Sequence, residues 1–184
     1  MSITIKNLSF SYPDKEIFKG FNFEFKNGVF YSLSAPSGKG KTTLFRLIAG
    51  LEKPDSGSIT TDGKTSYMFQ ENRLFPSLSL KENLKLVCSD EKRIKTILER
   101  LDLTNEENSY PDELSGGMKR RVSLARTLLY GGDNFVFDEP FTGLDEETKS
   151  RAVDLIKEIC HEKTIILVTH NDDEKTFCHE HITL

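Results

Sequence analysis

The stretch Ala35-Pro36-Ser37-Gly38-Lys39-Gly40-Lys41-Thr42 connects an apolar, strand-like run (Val29 to Ser34) with a helix-like run that begins at Thr43. Small residues in such a loop let consecutive backbone N–H groups turn toward one anion, and the N-terminus of the following helix adds a partial positive charge. The spacing predicts a phosphate-binding loop, in which Lys41 supplies a point charge for the β- and γ-phosphates and the Thr42 hydroxyl ligates Mg²⁺. The predicted contacts are Ser37, Gly38, Lys39, Gly40, Lys41, Thr42 and Thr43.

One position of the loop departs from the pattern G-x-x-x-x-G-K-[ST], because Ala35 stands where the first glycine is expected. An alanine fits there if its φ stays negative. The alternative interpretation is an ordinary glycine-rich turn with a solvated lysine. The strand before the loop and the helix after it favour phosphate binding.

Composition excludes several classes of protein. The 184 residues, 36% of them hydrophobic, suit one domain with a sizeable core. Against 29 acidic residues there are 25 basic ones, which argues against a nucleic-acid partner. The three cysteines have no metal-type spacing and indicate a reducing compartment. The chain starts without a signal-peptide pattern and has no run of membrane-spanning length, so we expect any spanning segment to belong to a partner.

Apolar periodicity predicts an antiparallel β layer near the start, then alternating strands and helices. Two short strands, Gly57 to Thr61 and Thr65 to Phe69, are expected around an Asp62-Gly63 turn. The block from Leu78 to Tyr130 is helical in pattern and has no convincing strand. Later, two compact apolar strands flank a helix, which predicts a parallel sheet with right-handed crossovers. We therefore expect one α/β domain over residues 1–184 with a helical subdomain inserted at roughly 77–130.

A second candidate site element is the run Phe135-Val136-Phe137-Asp138-Glu139-Pro140. A buried parallel strand that ends in two carboxylates places them at the edge of the sheet where ligands of such folds bind. We predict that Asp138 holds Mg²⁺ through water and that Glu139 orients or deprotonates an attacking water. The alternative is a strand-end turn with solvated acids.

The third element, Leu114-Ser115-Gly116-Gly117-Met118, resembles the signature sequence of the ABC-type ATPases, and the run Arg121 to Arg126 continues that pattern. Ser115 is expected to cap a helix whose N-terminus favours an anion, while Gly116 and Gly117 permit close backbone approach. Met118 stands where the family usually has glutamine, and Arg120 replaces a second, more variable polar residue. Backbone groups and Ser115 carry most of the anion contact, so we expect the signature to work.

The resemblance assigns further roles in chain order. Tyr12 resembles the residue that stacks on adenine, or is a half-buried strand tyrosine. Gln70 resembles the glutamine that joins Mg²⁺ and the water site to the helical subdomain. Asp145 resembles the aspartate that crosses the dimer interface, or is only a helix N-cap. His170 resembles the γ-phosphate histidine, although Asn171 replaces the aspartate often found next to it. By this resemblance the catalytic set is Glu139, His170 and Gln70, and the metal set is Thr42, Gln70 and Asp138.

The resemblance implies a P-loop NTPase core that binds ATP and Mg²⁺. In this family, each nucleotide lies between the phosphate loop of one subunit and the signature helix of another, so the chain would form a homodimer or heterodimer. The segment from Gln70 to Leu84 resembles that of small-solute importer ATPases, in which it faces the membrane subunit. Leu74, Phe75 and Pro76 would form a docking patch, or are core under the helical subdomain.

We therefore expect the ATP-hydrolysing subunit of an ABC importer, peripheral on the cytoplasmic side of the cell membrane, with a permease and a solute-binding protein as partners. The alternatives are a soluble ABC ATPase in DNA repair or translation and a non-hydrolysing switch. The chain lacks the coiled-coil insertions and basic arms that are usual in soluble ABC ATPases of that kind. A non-hydrolysing switch is opposed by the presence of Lys41, Asp138, Glu139 and His170. Because the segment after His170 is short, the resemblance implies a minimal version without a regulatory C-terminal domain.

Overall fold

The computed structural model describes residues 2–36 and 38–184, and this part of the chain forms two sheets and six α-helices. The strands are β1 (Ile3–Tyr12), β2 (Lys15–Phe25), β3 (Phe30–Ser34), β4 (Ser56–Thr61), β5 (Thr65–Met68), β6 (Asn134–Asp138), β7 (Thr164–Val168) and β8 (Glu180–Thr183). The helices are α1 (Lys41–Ile48), α2 (Leu80–Lys85), α3 (Glu91–Arg100), α4 (Gly116–Tyr130), α5 (Glu146–Ile159) and α6 (Asp172–Lys175). None of these helices is long and apolar enough to cross a membrane.

The chain divides into two compact units. Unit 1 comprises Met1–Tyr67, Gly132–Asp138 and Glu162–Leu184, and unit 2 comprises Met68–Gly131 and Glu139–His161. Unit 1 carries the sheets, whereas unit 2 carries α2 to α5.

The sheets of unit 1 differ in kind. The smaller sheet has the order β2-β1-β4 and is antiparallel, as the alternating pattern predicts. The larger sheet has the order β5-β6-β7-β3-β8, with β6, β7, β3 and β8 parallel. All five residues of β6 and of β7 are buried, which is typical of strands covered on both faces.

The two short strands expected around Asp62-Gly63 are present as β4 and β5, and the turn between them does not join a hairpin. β4 pairs with β1, and Asp62 accepts hydrogen bonds from Ser2 at that end of the small sheet. β5 begins at the larger sheet instead, because Lys64 N–H donates to the Asp133 carboxylate and Asp133 N–H donates to the Lys64 carbonyl. The two short strands are therefore neighbours in sequence but belong to different sheets.

Unit 2 is helical from Leu78 to Tyr130, which confirms the absence of a strand in that block. α2 begins with a capping box, in which Glu82 N–H donates to the Ser79 hydroxyl and Ser79 N–H donates to the Glu82 carboxylate. The apolar face of α3 is buried, and α3 contacts both α4 and α5. The predicted insertion at residues 77–130 lies within this unit.

Candidate functional site

Three neighbouring strands of the larger sheet, β6, β7 and β3, have their carboxyl ends at the same edge of the sheet. Asp138, the last residue of β6, is in register with Val168 of β7, and Val168 is in register with Leu33 of β3. Parallel neighbours lie about 4.8 Å apart, so the segments that leave these strands start side by side at one edge. They are the 35–42 loop after β3, the histidine segment after β7, and Asp138 itself. The structure thus brings Asp138, His170 and the loop to one edge of unit 1.

The chain turns tightly at residues 38–40, directly before α1 begins. Gly38 and Gly40 have φ values of 75° and 99°, which belong to the left-handed region that favours glycine. A Cβ at Gly40 would lie 2.6 Å from Ile17 Cγ2 and 3.0 Å from Phe18 Cζ, so space also demands glycine there. Leu44 N–H bonds to the Gly40 carbonyl, and α1 therefore begins at Lys41, two residues before the predicted Thr43. The prediction for Ser37 lies outside the described residues.

Two lysines contact the backbone of this loop. Lys41 is buried, and its Nζ donates to the Ala35 carbonyl at 2.5 Å, so its cation lies against the loop. Lys15 Nζ donates to the Gly38 carbonyl at 2.7 Å, a contact that sequence reasoning missed because Lys15 belongs to the antiparallel sheet. The φ of Ala35 is not positive. This meets the condition under which alanine can replace the first glycine of the pattern.

The side chains around the loop differ in exposure. Asp138 is buried, whereas Thr42, Lys39 and His170 are exposed, and Thr43 is buried. The backbone around His170 is held by Thr169, whose hydroxyl donates to the buried Glu174 carboxylate at 2.5 Å and accepts from Asn171 N–H at 3.0 Å.

Tyr12 lies at the end of β1 in unit 1. It is 41% exposed, and its ring contacts Phe10 edge-on at 5.1 Å between centroids. The exposed part of the ring leaves both interpretations from the sequence open. It can stack on a planar base, or it can serve only as a half-buried strand tyrosine.

Gln70 and Glu139 meet in unit 2. Gln70 Nε2 lies 3.5 Å from Glu139 Oε2, at the long limit of a hydrogen bond. Glu139 has φ 50° although a proline follows it, a conformation that is unfavourable for glutamate and more so before proline. The Glu139 carbonyl accepts from Thr142 N–H at 3.3 Å and from the Arg120 guanidinium at 2.8 and 3.1 Å. These donors hold the strained backbone in place.

Arg120 is a residue whose contacts sequence reasoning missed. Besides the Glu139 carbonyl, its Nη1 donates to the carbonyls of Phe69 and Gln70, both at 2.8 Å. From the sequence, Arg120 was only a replacement of a variable polar residue. No local signal reveals these contacts, since their partners lie 19 to 51 residues away in the chain.

The signature loop, here Ser115 to Gly117 at the start of α4, packs against the segment from Thr142 to Asp145 within unit 2. Ser115 caps α4 by accepting from Met118 N–H at 3.2 Å, which confirms the predicted cap. A Cβ at Gly117 would lie 2.8 Å from the Gly143 carbonyl oxygen. The two segments therefore pack so closely that only glycine fits at position 117. Asp145 caps α5, and hydrogen bonds from the Thr148 N–H and hydroxyl hold the pKa of its carboxyl below the ordinary value.

These loops of unit 2 border a cavity of about 250 Å³. Its lining residues are Gln70, Asn72, Gly116, Gly117, Arg120, Glu139, Thr142 and Gly143. Residues predicted for hydrolysis and residues predicted for the signature contact therefore share one cavity.

The segment after Gln70 presents an apolar residue. Phe75 is 53% exposed, Pro76 is exposed and Leu74 is half-buried. The buried Asn83 fixes this segment, since its Oδ1 accepts from Phe75 N–H at 2.8 Å and its Nδ2 donates to the Phe75 carbonyl at 3.1 Å.

The donor set predicted for a metal consists of oxygen atoms from Thr42, Asp138 and Gln70. Hydroxyl, carboxylate and amide oxygens suit Mg²⁺, which uses few protein ligands and takes the rest from phosphates and water. In the described part of the chain no three His, Cys, Asp or Glu residues cluster as a metal site. In unit 1, the Thr42 hydroxyl and the Asp138 carboxylate are donors of the kind that Mg²⁺ uses together with phosphate and water oxygens, whereas Gln70 belongs to unit 2.

Comparison with known families matches residues 18–142 to the family described as ABC transporter. The chain is 36% identical over 195 residues to a probable sulfate/thiosulfate import ATP-binding protein of Chlorella vulgaris, covering 95% of this chain and 83% of that protein. It is 37% identical over 184 residues to an aliphatic sulfonates import ATP-binding protein of Bacillus cereus (strain ZK / E33L), covering 92% of this chain and 73% of that protein.

Solved structures agree with this relationship. A dimeric ATP-binding cassette in a post-hydrolysis state, bound to ADP and Pi, matches with a TM-score of 0.89 at 28% identity, over 99% of this chain and 94% of that chain. An ATP-binding subunit of an ABC transporter matches with a TM-score of 0.91 at 24% identity, over 100% of this chain and 86% of that chain, which shows the shared fold. The α/β fold class with a P-loop NTPase core is thus confirmed, and the chain belongs to the ABC transporter family as one of its ATP-binding cassettes.

Proposed function

We propose that this chain is the ATP-binding and ATP-hydrolysing subunit of an importer, and that it energises solute uptake through a separate membrane permease. The observation that carries the proposal is the common row at which β3, β7 and β6 end, because it sets the phosphate loop, His170 and Asp138 along one edge. Relatives named as import ATP-binding proteins for sulfate/thiosulfate and aliphatic sulfonates support import and a small oxyanion-type solute. A soluble switch in DNA repair or translation is not favoured.

Nucleotide binding is assigned to unit 1. Backbone N–H groups of the 38–43 segment and the N-terminus of α1 bind the phosphates, and Lys41 adds its charge to the β- and γ-phosphates. His170 contacts the γ-phosphate from the end of β7, and the exposed part of the Tyr12 ring stacks on adenine. Asp138 and Thr42 would hold Mg²⁺ in unit 1, and the ion would supply positive charge beside the phosphate oxygens; Gln70, the further ligand that the sequence predicts, belongs to unit 2.

Hydrolysis is assigned to Glu139. A water oxygen attacks the γ-phosphorus while its proton passes to the Glu139 carboxylate, and the bond from the γ-phosphorus to the ADP oxygen breaks. Gln70, 3.5 Å from that carboxylate, helps to orient the water. A positioned general base contributes about 10²- to 10⁴-fold to the rate.

A complete site requires a second copy or a homologue. Ser115, Gly116 and Gly117 present the N-terminus of α4 to the nucleotide of the other subunit, and Asp145 lies in the same interface. The close approach of Gly117 to the Gly143 carbonyl supports this arrangement, because it joins the signature loop to the segment that carries Asp145. We take residues 1–184 as one ABC ATPase domain with a helical subdomain at roughly 77–130.

The permease docks at the segment of Leu74, Phe75 and Pro76. Exposure of Phe75 supports this proposal, and so does the Asn83 hydrogen bonding that holds the segment outward at a fixed position. The subunit is then peripheral on the cytoplasmic side of the membrane, and a solute-binding protein delivers the solute on the opposite side.

Replacement of Glu139 by glutamine tests the proposal. Glutamine keeps an acceptor oxygen but cannot take the proton, so E139Q should bind MgATP like the wild type and lose about 10²- to 10⁴-fold in turnover. Phosphate release and equilibrium ATP binding measure the two properties. E147Q changes an exposed glutamate at the start of α5 and should keep wild-type turnover. E139Q turnover at the wild-type rate would show that Glu139 is not the catalytic carboxylate.

A further inference from the structure

Arg120 is a charged residue in the interior of unit 2. Its side chain lies on α4 with 4% of the residue exposed. Nε and Nη2 donate to the Glu139 carbonyl at 3.1 and 2.8 Å, and Nη1 donates to the Phe69 and Gln70 carbonyls at 2.8 Å each. Nη1 also lies 3.4 Å from Asn72 Oδ1. One planar group therefore bonds to both backbone segments that carry Gln70 and Glu139.

This arrangement fixes the relative position of two side chains. The guanidinium is a rigid fork, so carbonyls on its two sides keep a set separation. The Gln70 amide and the Glu139 carboxylate, which extend from these same residues, meet at 3.5 Å. Glu139 also adopts φ 50° before a proline, a backbone conformation that persists only where surrounding contacts impose it. Two of the donors on its carbonyl come from Arg120.

We propose that Arg120 is a positioning residue for ATP hydrolysis: it holds the Glu139 carboxylate and the Gln70 amide in the mutual geometry that the attacking water needs. This role rests on the proposed function, in which Glu139 receives the proton of that water. Arg120 donates to the backbone carbonyls of these two residues, so it acts on their side chains through the backbone. The role depends on the number and direction of its donors rather than on its charge alone.

The same helix offers a matched comparison. Arg126 also donates to backbone carbonyls of this segment, at 3.0 Å to Asn72 and 2.8 Å to Arg73. Burial lowers the pKa of its guanidinium, so it too is a partly desolvated arginine. If Arg120 only stabilised the fold, the two arginines would behave alike when replaced.

The variants R120K, R120Q and R126K in the purified subunit test the proposal. Lysine keeps the charge, and glutamine keeps two amide hydrogens, but neither spans carbonyls on two sides. We expect R120K and R120Q to lower kcat about 10- to 100-fold with unchanged KM for MgATP, the scale of a displaced catalytic group. R126K should lower the melting temperature while kcat stays at the wild-type value.

A double-variant cycle separates positioning from folding. In the E139Q background, R120K should cause no further loss of kcat, because the group that it positions is already gone. Equal losses in both backgrounds, wild-type kcat in R120K and R120Q, or a kcat loss in R126K that matches its loss of stability would overturn the role of Arg120. A wild-type subunit that binds MgATP without hydrolysing it would instead overturn the proposed function, and this role with it.

Discussion

Gly40 combines two constraints in one residue. Its φ of 99° disfavours any side chain, and a Cβ would lie 2.6 Å from Ile17 Cγ2. Gly20 has φ 61° but nothing within 4 Å of such a Cβ, so G20A isolates the conformational cost, roughly 1 kcal/mol. We expect G40A to lose about 1 kcal/mol more than G20A in urea unfolding, because it also overpacks the loop against β2. Equal losses would show that the neighbours move aside.

Lys41 tests the phosphate loop at the level of one charge. A unit charge about 4 Å from a phosphate is worth on the order of 4 kcal/mol at an effective dielectric of about 20, or about 10³-fold in affinity. K41A should therefore nearly abolish MgATP binding in calorimetry, whereas K53A, at an exposed lysine beyond α1, should bind normally. Wild-type affinity in K41A would remove the loop from the site.

At the scale of elements, the capping box of α2 makes stability depend on pH. The Ser79 N–H donates to the Glu82 carboxylate at 2.8 Å and lowers the pKa of Glu82 below its ordinary value of 4.5. A carboxyl whose pKa is lowered by folding stabilises the fold above its unfolded pKa, and this contribution is lost as the pH falls through the folded pKa.

E82Q should therefore make the free energy of unfolding vary less with pH below about 4.5, since glutamine does not titrate. S79A removes the acceptor for Glu82 N–H and should cost about 1 kcal/mol at every pH, while most of the pH dependence stays. Urea unfolding across this range measures both variants. An E82Q curve parallel to the wild type would contradict the role of Glu82.

The docking segment belongs to the same scale, because Asn83 of α2 sets its conformation. F75E places a charge on the exposed apolar residue and should abolish assembly with the permease, while the isolated subunit binds ATP normally. L51E, at another exposed apolar residue, should leave assembly intact. Co-purification with the permease decides this. A misfolded F75E subunit by circular dichroism would show that Phe75 is core.

At the scale of the whole molecule, each subunit supplies the phosphate loop for one nucleotide and the signature segment for another. We therefore predict a dimer that forms only when nucleotide is bound. E139Q retains ATP, so sedimentation should detect its dimer with MgATP and a monomer without it. Adding S115R should abolish the dimer, because the longer charged side chain blocks the N-terminus of α4. S89R, at an exposed serine, is the matched control and should dimerise. Dimerisation of E139Q/S115R would contradict the composite site.

The sequence determined the features whose causes are local. The strand, the glycine-rich turn and the helix around Lys41, the caps at Ser115 and Asp145, and the helical block from Leu78 to Tyr130 follow from neighbours within a few residues. The order of the motifs along the chain was enough to identify the family, since each motif is a short, local stretch of sequence.

The tertiary structure decided the features that depend on residues far apart in the chain. β4 pairs with β1 rather than β5, because Ser2 binds Asp62 at the end of β4 while Asp133 binds Lys64 at the start of β5. No residue near Asp62 encodes that choice. Arg120 has the same origin: a variable position in the sequence becomes a fork between Gln70 and Glu139 only when segments 19 and 50 residues away fold against α4. Such contacts depend on where the chain returns in space, and periodicity and local spacing carry no information about that return.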